Sequence, residues 1–86
     1  MEFEFNPAKS MSNLVKHGIS FNDVKQLWLD PKVLVVKARE AAKPRWIAIA
    51  CIDGKNWSAI FTYRGEQIRL ISARRSRAKE FALYES

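Results

Sequence analysis

The stretch RWIAIACIDGKNWSAIFTYRGEQIRLISAR, residues 45–74, decides the fold. Three runs rich in β-branched and aromatic residues, Arg45 to Ile52, Trp57 to Arg64 and Gln67 to Arg74, read as strands. Asp53-Gly54 and Gly65-Glu66 are two-residue hairpin signals of the primed type, so the three strands form an antiparallel meander. Tight turns fix register, and register sorts side chains by face. Pairing Ile52 with Lys55 and Arg64 with Gln67 sends Trp46, Ala48, Ala50, Ile52, Trp57, Ala59, Phe61, Tyr63, Ile68 and Leu70 to one side. The other side receives Arg45, Thr62 and Arg69 in a row, with Arg64 beside them and Ile47, Ile49, Ile60 and Ile71 further along. Three cations converging there without a carboxylate repel one another until an anion arrives.

Outward from the meander, Phe3 and Phe5 alternate with Glu2 and Glu4, which predicts a short first strand. Asn6 caps a helix beginning at Pro7 and ending at Gly18, with Ala8, Met11, Leu14 and Val15 as its expected buried face. Ser20 caps a second helix with a stripe of Phe21, Val24, Leu27 and Trp28, closed by Asp30-Pro31. Val33 to Val36 reads as a strand, Lys37 to Lys43 as a polar connection or frayed strand end, and the chain closes on a helix. The expected class is α+β: an antiparallel sheet with two N-terminal helices packed on one face and a C-terminal helix.

The chain has 86 residues, enough for one core, so 1–86 reads as a single domain. Fifteen Lys plus Arg against nine Asp plus Glu leave a net charge of +6, which points to a polyanion or an acidic protein as partner. Between Arg64 and Lys79 six cations face only Glu66, and five of the six are arginines, whose planar fork suits phosphate. Cys51 is the sole cysteine, which excludes a disulfide framework and a cysteine-based zinc site. No run approaches the roughly 20 apolar residues of a membrane span, and the N-terminus lacks a leader pattern. The expected location is the cytoplasm.

The chain resembles the BrnT family of type II toxins across nearly its whole length. The matching pieces are Phe5-Asn6-Pro7 with Lys9 and Asn13, Lys16-His17-Gly18-Ile19-Ser20-Phe21, Asp30-Pro31, Arg45-Trp46-Ile47-Ala48-Ile49 and Asp53-Gly54. Further along come Thr62-Tyr63-Arg64-Gly65, Ile68-Arg69, Ile71-Ser72-Ala73-Arg74-Arg75 and Lys79-Glu80. Asn6 stands where the family usually carries Asp, and either residue caps a helix. The resemblance implies a RelE-like fold and ribonuclease activity. It also implies neutralisation by a BrnA-type antitoxin with a ribbon-helix-helix DNA-binding part, operator DNA being reached only through that antitoxin.

RNA supplies its own nucleophile, the 2′-hydroxyl, so a ribonuclease needs only to move protons and stabilise charge on phosphorus. The sequence offers no acidic cluster or histidine pair at metal spacing, which favours a metal-free route with no cofactor. Arg64, Arg69 and Arg74 are the candidates for charge stabilisation, with Arg45, Thr62 and Arg75 holding substrate. His17, Lys16, Glu80 and Tyr84 are the candidates for proton transfer. Tyr63 and Tyr84 could stack on bases, and Trp28, Trp46 and Trp57 read as core. An antitoxin would dock at the apolar end of the arginine-bearing face or beside the last helix. The alternative reading is a basic nucleic-acid-binding module without turnover.

Overall fold

A computed structural model describes residues 2–38 and 42–86. The expected connection Lys37–Lys43 therefore falls partly on positions 39–41, outside the described residues. A five-stranded sheet runs in the order β1-β5-β4-β3-β2, built from β1 (Glu2–Glu4), β2 (Leu34–Lys37), β3 (Trp46–Ile52), β4 (Lys55–Arg64) and β5 (Gln67–Arg75). The helices are α1 (Pro7–His17), α2 (Phe21–Val24) and α3 (Ala78–Glu85). The second expected helix keeps one α-helical turn and continues as a 3-10 helix over Lys25–Leu29.

The meander has the expected registers, Ile52 opposite Lys55 and Arg64 opposite Gln67. Positive φ angles at Asp53 and Gly54, and at Gly65, give the primed turns that let right-twisted strands pair tightly. One face is the core: Ala48, Ala50, Ala59, Phe61, Ile68 and Leu70 are buried against Phe21, Val24 and Leu27. Trp57 is buried with them, while Trp28 and Trp46 pack at the margin.

Three expectations are corrected. The sheet is mixed rather than antiparallel, because β1 pairs parallel with β5, Glu4 lying opposite Arg69. Alternation in Phe3 and Phe5 fits either strand direction, so it carries no information on this choice. Glu4 is thereby the carboxylate that the arginine row was expected to lack.

The apolar side of α1 faces out, not in: Met11, Leu14 and Val15 are exposed, and the buried residues of this helix are Ser10 and Asn13. The reason lies at the edge of β5. Past Arg69 that edge has no strand neighbour in β1, and an unpaired backbone amide or carbonyl is costly when buried. Asn13 takes the neighbour's place, donating from Nδ2 to the Ala73 carbonyl at 2.9 Å and accepting from the Ala73 N–H at 3.1 Å. It also donates to the Ile19 carbonyl at 2.9 Å, and Ser10 Oγ accepts from the Phe21 N–H at 2.9 Å.

The strand β5 also carries a bulge. Phe61 faces Leu70 but Ile60 faces Ser72, so β5 carries an extra residue at Ile71. Simple alternation from Leu70 would send Arg74 to the core face. Instead Ala73 is buried there, and Arg74 lies opposite Ser58 on the other face. The third correction concerns the apolar end of that face, where α3 packs across β3. Ile49 and Ser58 are fully buried there, while Ile47, Ile60 and Ile71 remain half-buried, so that end is covered in part from within the chain.

Candidate functional site

The part of the face that α3 leaves uncovered is a cleft of about 400 Å³ lined by Lys9, Lys43, Arg45, Thr62, Arg64 and Arg69, with Pro44 and Ile71 in its walls. Strand pairing builds it: Thr62 lies opposite Arg69, and Thr62 Oγ1 donates to the Pro44 carbonyl at 3.1 Å, tying β4 to the segment before β3. Five cations thus ring one opening. Glu4 touches two of them only loosely, at 3.5 Å from Arg64 Nε and 3.8 Å from Arg69 Nη1. Its covered Oε1 accepts no hydrogen bond from the described residues. Partly solvated ion pairs at such distances are worth little, so the guanidinium forks remain available to an anion.

A second hollow of about 160 Å³ opens beside the cleft, lined by Lys9, Ser12, Asn13, Lys16, His17, Ile71 and Ser72. It shares Lys9 and Ile71 with the first, so the two make one path along the α1–β5 margin. Lys16 and His17 reach it from the last turn of α1, which Gly18 ends in the left-handed conformation at φ 81°. The structure therefore brings together Arg45, Thr62, Arg64 and Arg69, with Lys16 and His17 alongside.

Five other sequence candidates lie elsewhere. Arg74 and Glu80 form a two-pronged ion pair, Nη1 to Oε1 at 2.7 Å and Nη2 to Oε2 at 2.8 Å. Glu80 also accepts from Ser58 Oγ and from the Arg77 N–H. Arg75 lies on the core-face side, over the Trp57 ring at 5.5 Å. Tyr63 packs edge-on against Trp46 and Phe61, on the opposite face from Thr62. The Tyr84 hydroxyl donates to Asp30 Oδ2 at 2.6 Å, which raises the tyrosine pKa and holds Asp30 below the usual carboxylate range. That bond ties α3 to the segment before β2.

The Arg74 hydrogen bond, opposed by burial and aided by the Arg77 N–H, holds the Glu80 carboxyl down at about 2. A folded pKa below the unfolded one stabilises at pH above the ordinary value near 4.5, and the gain is lost as pH falls from there toward 2. Allowing for partial solvation, Glu80→Gln is expected to cost about 2 kcal/mol at pH 7. Urea melts of both proteins should converge as pH drops below about 3. A gap that persists unchanged at that pH would refute the pairing as its source.

Sequence reasoning passed over Lys9, Lys43 and Glu4 as site residues. Lys9 had a signal, because Lys9, Ser12, Asn13 and Lys16 recur at helical spacing and mark a polar side of α1. Glu4 had none, since its place depends on the parallel pairing of β1.

A mixed sheet with a cation-ringed cleft on one face defines a small protein fitted to a polyanion. The chain belongs to the BrnT family: the family model described as "Ribonuclease toxin, BrnT, of type II toxin-antitoxin system" matches residues 5–80. It is a ribonuclease toxin of that type, with an antitoxin partner and RNA as its target. Comparison with curated proteins gives no match. Among the described residues no helix is long and apolar enough to cross a membrane.

Proposed function

We propose that this toxin is an endoribonuclease that needs no metal and cleaves by 2′-hydroxyl attack in the cleft between β3, β4 and β5. The observation that carries the reading is the continuous path of Lys43, Arg45, Arg64, Arg69 and Lys9 into the hollow that holds Lys16 and His17. In this reading the RNA backbone lies along that path, held by Arg45, Thr62, Lys9 and Lys43. Arg64 and Arg69 donate to the non-bridging oxygens as negative charge grows on phosphorus. The O2′–P bond forms and the P–O5′ bond breaks, leaving a 2′,3′-cyclic phosphate and a 5′-hydroxyl. His17, with Lys16 beside it, moves one of the two protons, the one that the 2′-oxygen loses or the one that the 5′-oxygen gains, and water carries the other. The arginines stay protonated throughout, since a guanidinium titrates above about 12.

Arg74 and Glu80 act in this scheme as the brace that holds α3 on the sheet, and Tyr84 with Asp30 as a second one. A cleft ringed by cations repels a divalent metal, which supports the metal-free route. The fold is taken as RelE-like and the setting as the cytoplasm, where RNA cleavage would arrest growth and translation. The neutralising partner is taken as a BrnA-type antitoxin with a ribbon-helix-helix part, through which the pair reaches operator DNA.

The test uses toxin freed of its antitoxin, incubated with RNA in excess EDTA. The expected products are fragments with 2′,3′-cyclic phosphate ends and 5′-hydroxyls that a polynucleotide kinase can label. Cleavage that appears only after a divalent metal is restored would overturn the mechanism, and RNA protected rather than cut would favour a binding module.

A further inference from the structure

On α1, the residues that pack inward are polar, and the apolar ones face solvent. Met11, Leu14 and Val15 are 63%, 43% and 81% exposed, on the side of the helix away from Asn13. Lys9, Ser12 and Lys16 form the flank between that stripe and the hollow beside β5. The sequence of α1 contains no acidic residue. Three large apolar side chains grouped on one short helix, and contributing nothing to the core, mark a surface made to be covered.

Charge selects the occupant. A second copy of this chain would bring the same lysines and a net charge of +6 against them. An RNA strand gains from Lys9 and Lys16 but has no use for the stripe. An acidic protein segment with one apolar side satisfies both. The apolar cleft beside α3 suits it less, because Glu85 lines that cleft with Leu34, Val36 and Leu83, and Lys32 is its one cation. Covering that cleft would also leave the arginines open to RNA.

We infer that Met11, Leu14 and Val15 are the docking surface for an acidic amphipathic segment of the antitoxin. That segment lays its apolar side on the stripe and extends carboxylates past Lys9 and Lys16 into the RNA path. Inhibition is then occupation of the phosphate track, not distortion of the toxin. The inference rests on the toxin reading given above, and it names the surface that this reading leaves open.

The test measures affinity for antitoxin purified from the toxin–antitoxin complex, alongside RNA cleavage in EDTA and thermal melting, on the same toxin variants. Met11→Asp with Val15→Asp should weaken antitoxin binding by about 100-fold while cleavage and melting stay as in the parent. Should the aspartates melt α1, the Met11→Gln with Val15→Gln pair keeps a good helix former and should still lose about 10-fold. Leu83→Asp should bind as the parent does. The inference is overturned if the α1 variants bind the antitoxin unchanged, or if Leu83→Asp is the substitution that breaks the complex. It is overturned equally if the α1 variants lose RNA cleavage, or if the parent is a dimer that they dissolve. A parent protein that cuts no RNA would bring down the mechanism, while the affinities would still judge the surface.

Discussion

Arg69→Ala is expected to lower RNA cleavage by about 100- to 1000-fold, the usual cost of removing one preorganised donor from a developing oxyanion. Arg69 sits mid-strand on β5 opposite Thr62, two-thirds covered, so its guanidinium is held at the cleft without the entropy of a free side chain. Arg64 is 61% exposed at the end of β4, and Arg64→Ala should cost less. Stability should change little in either case, since the contacts with Glu4 are long and partly solvated. The contrast is Arg74→Ala, which strands Glu80 and should act through stability first. Single-turnover cleavage of one RNA, with melting curves for each variant, separates the two classes. An Arg69→Ala toxin that cuts at the parent rate would remove the cleft from the mechanism.

Asn13→Ala is expected to destabilise the fold by about 3 kcal/mol, a large share of what a domain this small commands. The substitution deletes three hydrogen bonds at once and leaves the Ala73 N–H and two carbonyls buried without partners. At this chain length the melting temperature should fall by on the order of 15 °C. Met11→Ala, two residues away and exposed, should melt within about 2 °C of the parent. An Asn13→Ala protein that melts with the parent would show that water replaces the side chain at the β5 edge. Loss of the α1–β5 margin should also reduce cleavage, because Lys9, Lys16 and His17 are placed by the same helix.

Both predictions depend on features of different legibility. The Arg69–Thr62 pairing was readable, because Gly65-Glu66 permits one tight turn and counting outward from it leaves no freedom. The burial of Asn13 was not readable. Periodicity assigned the inside of α1 to its apolar residues, as it does for most amphipathic helices. Here an unpaired strand edge outbid the apolar stripe, and the edge exists only because β1 is three residues long.

What the sequence determined by itself is local and periodic: the three strands of the meander, their turns and registers, the caps at Asn6 and Ser20, and the core face from Trp46 to Leu70. Each follows from backbone geometry within a few residues, so neighbours along the chain suffice to set it. Tertiary structure decided what depends on partners distant in sequence. The parallel pairing of β1 brought Glu4 to Arg69 across more than sixty positions. The bulge at Ile71 moved Arg74 away from the core and onto Glu80. The edge of β5 turned α1 over, which put Lys9 and Lys16 on the hollow beside the cleft and left Met11, Leu14 and Val15 outside. Alternation and helical period say which residues share a face; which face is covered is settled only when the remaining hydrogen-bonding groups of the sheet have found partners.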